Sequence, residues 1–149
     1  MANLNWKNNN EQGKAARLFS LADQTLKEFK SLMDSIEKVS KTVDNRKKTE
    51  SEVAAKETKA RTEYEKEVNR AKEEMAKIEL QVEKARDSFA KGDLQLSMVE
   101  NMVQMIIDEY NRLNNMDEEV FIGENASKCR DNIRRNVLDM TKELLPTLQ

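Results

Sequence analysis

The feature that most constrains this chain is a seven-residue beat of apolar side chains running from Phe19 to Leu113. Phe19, Leu26, Met33, Val68, Met75, Val82, Phe89, Leu96, Val103 and Tyr110 share one phase. Ala22, Phe29, Ile36, Val43, Tyr64, Ala71, Ile78, Ala85, Val99, Ile106 and Leu113 share the other. The alternating steps of three and four residues keep one stripe of an α-helix turned toward a partner helix. The beat fails in the middle, where Lys47, Glu50, Glu57 and Arg61 take the seam positions. An all-α fold follows.

Composition agrees. With three Gly and one Pro among 149 residues, the chain lacks the punctuation of a β-sandwich. Charged residues make up 36%, but Lys and Arg alternate with Asp and Glu to a net charge of −2. That mixture forms no basic stripe of the kind that holds nucleic acid. The only short basic stretch, Arg46-Lys47-Lys48, reads as turn chemistry. No run approaches the ~20 apolar residues of a membrane span, and the N-terminus lacks the pattern of a signal peptide. The expectation is a cytoplasmic protein, or one exported without a conventional signal peptide.

Punctuation sets the helices. After a polar, Asn-rich start at residues 1–11, a first helix is expected over 11–43. Asp44 to Lys48 reads as the tip of a hairpin, and Thr49 with Glu52 as the capping box of a second helix over 50–91. The competing form is one unbroken rod. Glu73 to Lys77 and Asp87 to Lys91 are spaced to support the second helix. Gly92 is a weak point, with Asp93 as a candidate N-cap for a third helix from Leu94; a continuous helix through Gly92 is the alternative. A loop over 114–124 precedes a final helix capped by Asn125 and ended by Pro146, with Ala126, Cys129, Ile133, Val137, Met140 and Leu144 as its stripe. The expected architecture is a single helical domain: a long antiparallel coiled-coil hairpin over 12–91 and a shorter helix–loop–helix over 94–149 packed at its base. The base is then a local four-helix bundle.

Chemistry-bearing residues are scarce. There is no His, which removes the commonest general base and metal ligand. The single Cys, Cys129, lies at an apolar helical position and reads as a small buried hydrophobe. No Gly-rich phosphate loop and no nucleophile–base pair is present. The chain therefore reads as a non-enzyme with no cofactor and no metal. The third helix carries apolar residues on more than one face, so it needs more than one partner helix. Met98, Met102, Met105 and Ile106 are core candidates and, on a sharper reading, an adaptable docking face for another protein.

One segment carries a pattern: Phe121-Ile122-Gly123-Glu124-Asn125-Ala126-Ser127-Lys128-Cys129. It resembles the turn of the WXG family, the small ESAT-like helical hairpins of type VII secretion. That family places an aromatic-x-Gly between two antiparallel helices, followed by a small residue and then an apolar one at three-residue steps. Phe121, Gly123, Ala126 and Cys129 hold those positions here, with Phe in place of the usual Trp. The Tyr-x-x-x-acid export signal does not follow. Gly permits a sharp reversal and a small residue permits close helix approach. The resemblance implies a partner or chaperone of LXG-type toxins, binding a helical protein. Read without it, the chain is a structural coiled-coil homo-oligomer, such as a phage or cell-structural component. A nucleic-acid-associated role through Arg46, Lys47, Lys48, Arg130, Arg134 and Arg135 is the least favoured alternative.

Overall fold

A computed structural model describes residues 9–46, 51–116 and 124–148, with side chains over 12–38, 65–116 and 124–144. Four helices follow in order: α1 (Asn9–Arg46), α2 (Ser51–Ala90), α3 (Leu96–Asn114) and α4 (Glu124–Leu148). The described residues form no strand.

Cross-helix polar contacts give the topology. On α1 and α2, the pairs Asp23–Arg86, Lys30–Glu79 and Glu37–Lys72 advance one heptad along α1 for each heptad back along α2, so the helices run antiparallel. On α1 and α4, Arg17–Glu143, Glu28–Asn132 and Ser35–Asn125 step in opposite directions in the same way. On α2 and α3, Arg70–Glu109 and Glu67–Arg112 do so again. Each helix packs against the next in the chain, and α4 closes the ring against α1. This is an up-and-down four-helix bundle with α1 and α4 in the most extensive contact.

The heptad residues fill its core. Phe29, Ile78, Val99 and Ile106 are fully buried, as are Met33, Met75, Val82, Val103 and Leu113. Phe19 meets Phe89 at 5.7 Å between ring centroids with the rings tilted, and the Arg86 guanidinium lies over the Phe19 face. Leu32 and Thr25 are buried as well, although neither belongs to the two heptad phases. They lie on the α4-facing side of α1, and a helix with two neighbours needs a wider apolar stripe than a two-stranded seam. Thr25 Oγ1 meets its own burial by donating to the Leu21 carbonyl at 2.7 Å.

The boundaries depart from expectation in several places. α1 continues through Asp44, Asn45 and Arg46, residues expected in the hairpin tip; the rest of that tip, with Thr49 of the expected capping box, lies outside the described residues. The helix does not continue through Gly92. Gly92 has φ 76°, its N–H donates to the Phe89 carbonyl, and the Asp93 N–H reaches back to Ser88 at 3.0 Å. This is a Schellman turn, which uses the left-handed conformation that glycine adopts without strain. Asp93 therefore belongs to the end of α2 rather than capping α3. Gln95 is the N-cap of α3, in extended conformation and without a side-chain cap, and Leu94 is buried beneath the turn.

Asn125 is likewise not a cap. α4 begins at Glu124, and the Asn125 amide donates to Ser35 on α1. α4 also runs past Pro146 to Leu148, so the proline removes one N–H from the last turn without ending the helix. Asp87 pairs with Lys91 at 3.0 Å as spaced, whereas Lys77 pairs with Glu74 rather than Glu73, the other neighbour on the helix surface.

α3 and α4 are shorter than α1 and α2. Arg112, near the end of α3, lies beside Glu67, and Asn125, at the start of α4, bonds Ser35. Beyond those levels α1 and α2 continue as helix for several more turns, to Arg46 and from Ser51, and neither α3 nor α4 extends alongside them. The long hairpin with a bundle at its base is the expected architecture.

Candidate partner-binding surface

The apolar excess of α3 has a local explanation. α3 lies between α2 and α4, and the two contacts divide its surface. Val99, Ile106 and Leu113 point into the core. Met102 and Ile106, two members of the candidate docking face, are fully buried within the chain. Met98 and Met105 are half-buried at the edge of the same core, as are Ile107 and Tyr110. Of the docking set, only Met98 and Met105 therefore reach the surface of the closed bundle. Among the C-terminal turn residues, Ala126 and Cys129 are buried on α4, while Phe121 and Gly123 lie outside the described residues.

Cys129 sits against Ser31 and Glu28 of α1. Burial pushes its thiol up from the usual value, and the Ser31 hydrogen bond opposes that shift in part. Glu28 also accepts from Asn132 Nδ2 at 3.3 Å. The extensive α1–α4 contact thus carries a rim of small polar, hydrogen-bonding side chains over an apolar centre.

The most distinctive charge arrangement joins α2 to α3, and the sequence reading did not single it out. Glu109 is 2% exposed, the only buried carboxylate among the described residues. Arg70 meets it with both ends of its guanidinium, Nη2 donating to Oε1 at 3.0 Å and Nη1 to Oε2 at 3.3 Å. Arg70 Nε donates to Glu67 at 2.8 Å, and Arg112 stands 4.0 Å from the same Glu67 oxygen. Burial alone would lower the Arg70 pKa. The hydrogen bonds and charges of Glu109 and Glu67 outweigh burial and hold it above the ordinary arginine value. A signal was present in the sequence: Glu109 interrupts a stripe of Met102, Ile106 and Leu113 at helical spacing, where only a paired charge can be buried.

On the outer face of the α1–α2 pair, a shallow groove of about 330 Å³ lies over Met33, Met75 and Ala76, edged by Lys30, Asp34, Lys72 and Glu79. It has room for an apolar side chain. Among the described residues, no three His, Cys, Asp or Glu side chains gather in a way that could hold a metal ion. No helix among them is long and apolar enough to cross a membrane.

Fold and surface together define a helical-bundle protein with an extended two-helix arm. No family model, no curated protein and no solved structure matches the chain.

Proposed function

We propose that the chain is a non-enzymatic helical partner protein that binds another helical protein, in the manner of the type VII secretion partners of LXG-type toxins. The observation that carries this reading is the unequal length of the helices. α1 and α2 run on beyond the ends of α3 and α4, leaving a two-helix arm beside which a further helix can lie. In the sequence, Glu57 and Arg61 take the seam positions in the part of α2 that runs beyond α3 and α4, which favours a partner able to supply complementary charge.

The C-terminal turn adds support. α4 starts directly behind the aromatic-x-Gly stretch, and Ala126 and Cys129 are buried on α4 in the close-packing positions that the resemblance gives them. The chain carries two helical hairpins, so it supplies within one molecule the four-helix packing that a dimer of WXG-type hairpins assembles from two.

Co-expression of the full chain with the helical N-terminal domain of an LXG-type toxin tests the reading. A stable complex of defined stoichiometry in size-exclusion chromatography with light scattering is expected. A chain that remains alone, or that only self-associates as a scaffold would, contradicts it.

A further inference from the structure

We infer that the Arg70–Glu109 pair is a latch, and that α3 opens from α2 as a unit when it is released, uncovering an apolar face that takes a basic amphipathic helix. The inference rests on the partner-binding reading above and names the regulation and specificity of its surface.

Three observations support it. First, α3 is the shortest helix and the most apolar, and its contacts with α2 and α4 are less extensive than the α1–α4 contact. Less packing is therefore lost when α3 leaves α2 than when α4 leaves α1. Second, the one buried carboxylate among the described residues sits in that contact, met by both arms of a guanidinium that Glu67 holds in place. A buried ion pair contributes little over an apolar pair of the same size. Removing one partner, by contrast, strands the other in a desolvated site. Such a contact is stable when made and strongly disfavoured when half-made, which is the behaviour of a latch. Third, the residues beneath it, Met102 and Ile106, are fully buried while Met98 and Met105 remain half-buried at the rim. Departure of α2 would expose a continuous stripe with Met adaptability and one acidic residue in it.

The same geometry fixes the occupant. A helix that replaces α2 must lay an apolar stripe on Met102, Ile106 and Leu113, and it must bring an Arg or Lys to Glu109, because an unpaired carboxylate there is costly. Glu109 is thus the residue that selects a basic helix over a neutral or acidic one.

Hydrogen exchange resolved helix by helix on the full chain tests the latch without any partner. Glu109→Gln and Arg70→Gln should each speed exchange of the 96–114 amides at least about tenfold, the typical effect of losing a hydrogen bond to a charged group. Protection of α1 and α4 should be unchanged. Arg70→Met with Glu109→Met, which replaces the ion pair by apolar side chains, should return α3 to slow exchange. Unchanged α3 exchange in the single variants, or equal acceleration in all four helices, would overturn the latch. A failed toxin co-expression alongside a positive exchange result would remove the partner reading and leave the latch standing.

Discussion

The two sides of α1 are held by different chemistry. Toward α2, the flanking positions carry a ladder whose sign alternates: Asp23, Lys30 and Glu37 face Arg86, Glu79 and Lys72. A slip of one heptad would set like charges against each other at every rung that remains, so the ladder selects one register. Toward α4, the ion pair Arg17–Glu143 stands near one end, and the other flanking contacts are mostly neutral or small: Ser31, Ser35, Asn125, Cys129 and Asn132, with Glu28 accepting hydrogen bonds among them. Such a surface lets helices approach closely and says little about register from charge. The first side is a coiled coil that specifies its partner by long-range sign. The second is a close-packed contact that specifies it by shape and short hydrogen bonds.

Several measurements would break or sharpen that contrast. The largest effect belongs to the core beneath the α4 side. Leu32→Ala should cost about 2–5 kcal/mol in denaturant unfolding, as for other fully buried leucines. A loss below about 1 kcal/mol would mean that α4 does not seal that side. Next comes the hydrogen-bonded layer: Asn132→Ala should cost roughly 1 kcal/mol, since it removes the amide that donates to the Glu28 carboxylate. The charge ladder should contribute less. Lys30→Glu should cost about 0.5–1 kcal/mol, because both members of the pair are partly exposed and screened. Adding Glu79→Lys should restore most of it, and the same cycle in high salt should shrink.

The smallest effect is alkaline. Burial raises the folded Cys129 pKa, so the thiol contributes stability that is complete below the unfolded value of about 8.5 and is lost as pH rises through the raised folded value. Melting temperatures from neutral pH to pH 10 should fall less steeply in Cys129→Ala than in the parent chain. Parallel slopes would place the thiol in contact with water.

This contrast also explains what could be read from the sequence. The α1–α2 side repeats with a fixed period, so Phe29, Met33, Ile78 and Val82 announce their burial through spacing alone. The division at Gly92 was only half legible: the beat runs unbroken across it and left a continuous helix open, and the left-handed backbone at Gly92 decides for a break. The choice of α4 as the main neighbour of α1 was not legible, because Leu32 and Thr25 fall outside the two phases and acquire meaning only once a second neighbour is known. Caps were misread where a tertiary bond outweighed local preference: Asn125 has the residue type of an N-cap, yet its amide is used by Ser35. Glu109 was overlooked because a charge on a helix surface ordinarily faces water, and only the position of Arg70 on a different helix makes its burial sustainable. Of the candidate surface, the methionine and isoleucine positions were found, but their distribution between core and rim depends on packing that no local pattern encodes.

The central claim is that these helices satisfy one another within a single chain, with α4 lying antiparallel against α1. An engineered disulfide tests it most directly. Ser35→Cys and Asn125→Cys, placed together in a Cys129→Ala background, join the two side chains that now share a hydrogen bond. Oxidation should give an intrachain crosslink in a species of 17.3 kDa, detected as a mobility shift on a non-reducing gel and confirmed as a monomer by mass. Failure to crosslink, or a crosslink formed only between two chains, would contradict the bundle.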